Sequence, residues 1–272
     1  MSDTAILTLR TMLANLDDAK KYQSLRDVMS TLPAPDLAAV FEDLPPEKLP
    51  VLFRLCPKDL AAEIFAELTP ETQQDLIDGL TDKELKAVVD DLFVDDATDL
   101  VEEMPANVVK KVLQNADEGT RKTINQFLNY PENSAGSLMT IEYVDLHDYF
   151  TVRKAMDYIR RTGIDKETIY TCYVTRGHKL IGLTSVKDLL LCEDDDATIE
   201  SIMQEHVITV NTTDDQEVVA QMFSKYDFLA LPVVDTENRL VGIVTVDDAI
   251  DVLQEETTED MEKMAAMLPT DK

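Results

Sequence analysis

Over residues 30–115 the apolar positions keep a beat of twelve. Positions 32, 44, 56, 68, 80, 92 and 104 are Leu, Leu, Cys, Leu, Leu, Leu and Met. Residues that open helices follow at once: Pro33, Pro45, Pro57, Thr69 with Pro70, Thr81, then Phe93 and Pro105. Pro supplies a fixed helical φ at a first helical position, and Thr just before it can cap the free N–H groups. Inside each unit an apolar group such as Leu49-Val51-Leu52, Leu60-Ile64-Phe65 or Leu85-Val88-Val89 marks one buried helix face. The pattern predicts one helix of roughly two turns per unit, too short to stand alone. Such units are expected to stack into a superhelical array with a shared core, a surface for a partner rather than a cleft for catalysis.

After Tyr130-Pro131 the pattern changes to β-branched runs, and two half-sequences resemble each other. Residues 137–161 align with 201–228, and 169–191 with 229–253. Each half reads as helix, strand, turn, strand, helix, with hairpin turns at Arg176-Gly177-His178 and at Asp235–Asn238. Both carry Gly-x-x-Ser/Thr-x-x-Asp where strand passes into helix: Gly182, Ser185, Asp188 and Gly242, Thr245, Asp248. A capping box accounts for that spacing, the hydroxyl taking a helix N–H and the acid returning the contact. A nucleotide would use the same elements differently, phosphate near the helix N-terminus and Asp on a ribose hydroxyl.

The second of these turns leads into a helix whose acids stand at steps of four: Asp247, Asp251, Glu255 and Glu259, flanked by Asp248, Glu256 and Asp260. No Lys appears in this helix before Lys263, so like charges face one another along it. A solvated acidic face and a cation-binding face both fit.

Charge sharpens the choice. The chain of 272 residues has 54 acidic and 25 basic side chains, a net charge of -29. Such a surface repels nucleic acid and attracts cations. The length suits about two domains. No apolar run is long enough to cross a bilayer, and MSDTAILTLR lacks the make-up of a signal peptide. Cys56, Cys172 and Cys192 form no Cys-x-x-Cys pair, which predicts reduced thiols in a cytosolic compartment and no zinc site. No nucleophile–base constellation is present, so an enzyme is not expected.

The tandem halves resemble a pair of CBS domains. Together with the twelve-residue helical array, the YPENSAGSLMT junction and the EETTEDMEKMAAM exit, they resemble the cytosolic part of the MgtE family of Mg²⁺ channels and transporters. The resemblance implies a multidomain α plus α/β fold: an all-α superhelical domain over 1–130, a first CBS domain over 131–200 and a second over 201–257. Residues 258–272 would begin a connecting "plug" helix, and the chain would be a fragment that stops short of the membrane domain.

The same resemblance implies Mg²⁺ ligands. Glu63, Asp95 and Asp99 would be those of the helical domain, with Asp248 meeting them across the domain boundary. Asp227 and Asp251 would lie near the CBS contact of a homodimer, and Glu256 and Glu259 would face the plug region; Asp215 and Glu217 are further candidates. For Asp95 a place in a helix's first turn would suffice on macrodipole grounds alone. The expected function is a Mg²⁺ sensor at the cytoplasmic face of the membrane that favours a closed pore and contracts in millimolar Mg²⁺. Two alternatives stay open: an adenine-nucleotide sensor binding ATP or a relative through Ser185 and Asp188, and a passive scaffold whose acids merely solubilise.

Overall fold

The computed structural model describes residues 6, 7, 9–11 and 21–267. Residues 268–272, the end of the expected connecting segment, lie outside the described residues, as does most of the stretch before 21. Two compact units emerge: residues 1–92 with 96–125, and residues 93–95 with 126–272.

The first unit is a run of short helices: α1 (Lys21–Met29), α2 (Ala34–Glu42), α3 (Leu49–Phe53), α4 (Lys58–Ala66), α5 (Pro70–Gly79), α6 (Asp82–Asp91), α7 (Val94–Glu103), α8 (Ala106–Asn115) and α9 (Glu118–Phe127). From Lys58 onward every helix starts twelve residues after the last, and the beat runs one unit past 115. Most helices have nine or ten residues, nearer three turns than two. Pro33, Pro57 and Pro105 stand one place outside the helix as N-cap residues with extended ψ, whereas Pro70 is the first helical residue. Pro45 does not open a helix directly, since a turn intervenes before Leu49. Helices pack on the next but one, α2 on α4, α3 on α5, α4 on α6 and α6 on α8.

Several acids in this unit have structural work. Glu42 accepts from the Thr69 N–H (2.8 Å) and from the Thr69 and Thr72 hydroxyls, so it caps α5 from two repeats away. Asp90 takes the Asp117 N–H (3.0 Å) in the same manner ahead of α9. Glu84 closes a capping box with Thr81 and forms a two-pronged pair with Arg54 (2.7 and 3.1 Å).

The second unit holds two three-stranded sheets. A short helix α10 (Ala135–Leu138) precedes β1 (Val144–His147), α11 (Val152–Thr162), β2 (Thr171–Arg176), β3 (Lys179–Ser185) and α12 (Val186–Leu191). The second half repeats the order: α13 (Ile199–Ile202), β4 (Val210–Asn211), α14 (Gln216–Tyr226), β5 (Ala230–Val234), β6 (Leu240–Thr245) and α15 (Val246–Met267). In each sheet the first strand is parallel to the second, and the second antiparallel to the third. The sequence pattern misses β1 and β4, which at four and two residues are too short to display alternation. The first hairpin turns on Gly177 (φ 59°) and His178 (φ 67°), the two positive-φ positions a tight hairpin requires.

The halves exchange edges. Thr140, ahead of the first half, pairs with Ile243 of β6 through two hydrogen bonds (2.8 and 2.9 Å). Gln204, ahead of the second half, pairs in the same way with Leu183 of β3 (2.8 and 3.0 Å). These crossings explain the glycine of the repeated motif. A Cβ on Gly242 would lie 2.5 Å from Met139 Sδ and 2.8 Å from the Thr140 carbonyl oxygen, and one on Gly182 would lie 2.6 Å from Met203 Sδ and 2.9 Å from the Gln204 oxygen. Between the sheets Tyr173, Leu180, Ala230, Val234, Leu240 and Ile243 form a common core.

Candidate functional site

Both Gly-x-x-Ser/Thr-x-x-Asp turns close on themselves. Asp188 Oδ2 accepts from the Ser185 hydroxyl (2.6 Å) and N–H (3.2 Å), and the Asp188 N–H donates back to the hydroxyl (3.0 Å). Asp248 Oδ2 accepts from the Thr245 hydroxyl (2.5 Å) and N–H (3.3 Å). The full capping box is present at Ser185–Asp188, and the carboxylate's half of it at Thr245–Asp248.

Their surroundings differ. Asp188 is exposed, whereas Asp248 is half-buried. Burial pushes the Asp248 carboxyl up to about 6; the Thr245 hydroxyl pulls it back, and the charges of Asp247 and then Asp251 raise it further. Asp251, one turn on, is also raised, by burial first and then by Asp247. Asp247, absent from the residues singled out by the family resemblance, is therefore part of the same electrostatic cluster. Its place at the head of the acidic four-step is the sequence signal that marks it.

The other predicted acids are placed as follows. Glu63 on α4 and Asp99 on α7 are exposed, in the first unit. Asp95 lies in the first turn of α7, is buried, and belongs with the second unit, as does its neighbour Val94, which packs beside Phe127 and Val219. Asp215 is the N-cap of α14, accepting from the Glu217 N–H (2.9 Å), and Glu217 accepts from Gln221 (2.9 Å). Asp227 ends α14 in the left-handed conformation (φ 55°, ψ 39°), a place where Gly or Asn is usual. On α15, Asp247, Asp251, Glu255 and Glu259 are all exposed along one side while Ala249 and Val252 are buried. Glu256 is half-buried, and Glu259 pairs with Lys263. The side chain of Asp260 lies outside the described residues.

Among the described residues no group of three or more His, Cys, Asp or Glu side chains is gathered closely enough to hold a metal ion. The cluster of Asp247, Asp248 and Asp251 is electrostatic, and a divalent ion there would need ligands from water or further side chains. The chemistry of the donors fits Mg²⁺, a hard ion satisfied by one or two carboxylates that keeps several waters. Cys56, Cys172 and Cys192 are unpaired, and burial pushes the first two up to about 12, so neither offers a thiolate. No helix among the described residues is long and apolar enough to cross a membrane.

Comparisons with known proteins agree with this architecture. The MgtE intracellular N domain matches residues 32–133, and the CBS domain matches residues 199–255. The chain is 38% identical over 250 residues to the magnesium transporter MgtE of Thermus thermophilus, covering 90% of this chain and 55% of that protein. It is 33% identical to the magnesium transporter MgtE of Bacillus subtilis, with 90% and 54% covered. The chain thus spans about half the length of the curated relatives it matches. Among solved structures, the soluble part of a magnesium transporter superposes with a TM-score of 0.86 at 30% identity, covering 94% of this chain and 99% of that one. The cytosolic domain of the Mg²⁺ channel MgtE in complex with ATP superposes with a TM-score of 0.82 at 36% identity, covering 91% and 99%.

Proposed function

Since the chain belongs to the MgtE family, with a helical N domain followed by a CBS pair, we propose that it is the Mg²⁺-sensing regulatory part of a magnesium channel or transporter. It would act at the cytoplasmic face of the membrane. Its partners would be a membrane domain and a second copy of itself. The observation that carries the reading is Asp248: a half-buried carboxyl, raised to about 6 by burial and flanked by two more acids on the same helix. Mg²⁺ would remove the like-charge cost without demanding a rigid cage. Asp251, Asp227, Glu256 and Glu259 of the CBS pair, with Glu63, Asp95 and Asp99 of the helical repeats, would supply further ligands; Asp215 would contribute less because it caps α14, and Glu217 less because it already accepts from Gln221.

One ion with a Kd near 1 mM is worth about 4 kcal/mol at a 1 M reference but only about 0.4 kcal/mol at 1 mM, while moving a population from mostly open to mostly closed needs about 5.5 kcal/mol. Several ions bound together are therefore required, and a steep response to Mg²⁺ follows. Association of two copies is supported by the exposed Leu190 and Leu191 on α12 and by Tyr226, Leu229 and Ile250 on the second half. The relatives are transporters, and no catalytic step is proposed.

Calorimetry with Mg²⁺, read beside amide hydrogen exchange, tests the proposal. The unaltered chain should bind in the millimolar range with slowed exchange around Asp248 and in the first turn of α7. An Asp248→Asn chain should bind more weakly. Equal binding and unchanged exchange in both chains would reject the sensor and favour inert, solubilising acids.

A second reading has one specific support, the relative's structure with ATP. Adenine nucleotide would use the exposed Asp188 beside Ser185. Heat on adding ATP that Asp188→Ala removes would establish it, and absence of heat would discard it.

A further inference from the structure

Charge in the second unit is unevenly distributed. Residues 149–187 carry eight Lys or Arg against three Asp or Glu, while 188–272 carry four against twenty-two. Helix α11 concentrates the basic excess: Arg153, Lys154, Arg160 and Arg161 are all exposed, and Asp157 is the one acid in the helix. Arg153 and Arg160 are seven residues apart, as are Lys154 and Arg161, so the four form two adjoining stripes along two turns. Arg153 and Arg160 line a recess of about 330 Å³ together with Leu189 and Leu190 of α12. The same two arginines border Lys154 and Arg161 on the other side.

These cations are held loosely. Arg153 meets Asp195 at 3.0 Å and Arg160 meets Asp157 at 3.0 Å, with all four side chains more than half exposed. Lys154 lies over the Phe150 ring at 3.9 Å. Exposed pairs of this kind exchange partners readily. Asp157 and Asp195 thus occupy positions that a stronger anion could take over.

We propose that this recess binds a small multivalent oxyanion of the pyrophosphate class, with Arg153 and Arg160 as its ligands and Lys154 and Arg161 adding positive field from the adjoining stripe. Guanidinium groups approaching from two turns of one helix can each engage phosphoryl oxygens in pairs. A lipid headgroup offers the same chemistry, but a chain of net charge -29 is repelled as a whole from an anionic bilayer. A free ion inside the recess meets mainly the local field, because distant charges are screened beyond about 8 Å. Ser185 and Asp188 do not line this recess, so the site is separate from the repeated motif.

Titration of sodium pyrophosphate into the whole chain by calorimetry, at about 0.15 M salt and in chelator so that Mg²⁺ binding plays no part, tests the assignment. A saturable heat is expected, weakened by at least about ten-fold in Arg153→Gln/Arg160→Gln. It should be unchanged in Lys122→Gln. Asp195→Asn should strengthen binding by freeing Arg153, whereas Glu237→Gln, which alters net charge equally, should not. Absence of saturable heat, or a double variant that binds like the parent, overturns the site. Retention on phosphatidylglycerol vesicles without pyrophosphate binding overturns it in favour of a lipid surface.

Discussion

Replacing Asp248 by Asn isolates the electrostatic cost on which the functional reading rests. In the folded chain this carboxyl titrates at about 6 against an ordinary 3.8. The folded state therefore holds the proton more tightly than the unfolded one. The resulting penalty is absent below pH 3.8, builds as pH rises, and is complete above about 6. At about 1.36 kcal/mol per pH unit the ceiling is about 3 kcal/mol, and solvent reaching a half-buried group lowers this to about 1–2 kcal/mol. Asn keeps an acceptor for both Thr245 donors, which converge on a single oxygen of Asp248. Urea denaturation of both chains in chelator at pH 4 and pH 8 reads the difference. Asp248→Asn should be more stable by that amount at pH 8 and nearly equal at pH 4. Mg²⁺ at about ten times its Kd should narrow the gap by up to about 1.4 kcal/mol, since only the carboxylate gains from the ion. A variant less stable at pH 8 without metal, or a gain independent of pH, would show that Asp248 is not held in a costly ionised state.

Three further expectations follow from the fold. Glu84→Gln should destabilise the helical unit by about 1 kcal/mol at neutral pH. Arg54 chiefly holds Glu84 down at about 2, so this contribution is complete above pH 4.5 and fades as pH falls toward 2, which thermal melts across that range will follow. Thr184→Val should raise stability by up to about 1 kcal/mol, because the buried Thr184 hydroxyl has no protein partner; a loss on denaturation would indicate a hidden one. Gly242→Ala should cost about 1–3 kcal/mol through overpacking. Adding Met139→Ala should restore only part of that, since the Thr140 carbonyl oxygen, 2.8 Å from the new Cβ, stays in place.

Much of the fold was legible because its signals are local. The twelve-residue beat places six helix starts in register, and five of the seven beat positions are buried, with Leu44 and Leu92 half-exposed. The β6–α15 passage at Thr245 and both capping turns stand where the motif puts them. What escaped is non-local. Gly182 and Gly242 read as parts of a cap, yet their lack of a side chain answers to Met203 and Met139, some twenty and a hundred residues away. The repeated Ser-Leu-Met-Thr and Ser-Ile-Met-Gln segments were the available clue. Among candidate ligands, Asp215 and Glu217 could not be told from caps by spacing, because a helix start and an ion ask for the same side chains. Asp248 differs from Asp188 in its acidic neighbours Asp247 and Asp251, which the sequence displays, and in burial, which no motif encodes.

The exchanged edges bear on how the chain is made. During synthesis the first half cannot complete its β3 border until Gln204 has left the ribosome, long after its own strands are available. The second half finds Thr140 already waiting. A polypeptide ending near residue 200 would therefore present an open β3 edge, and the two halves should refold as one cooperative body rather than in succession.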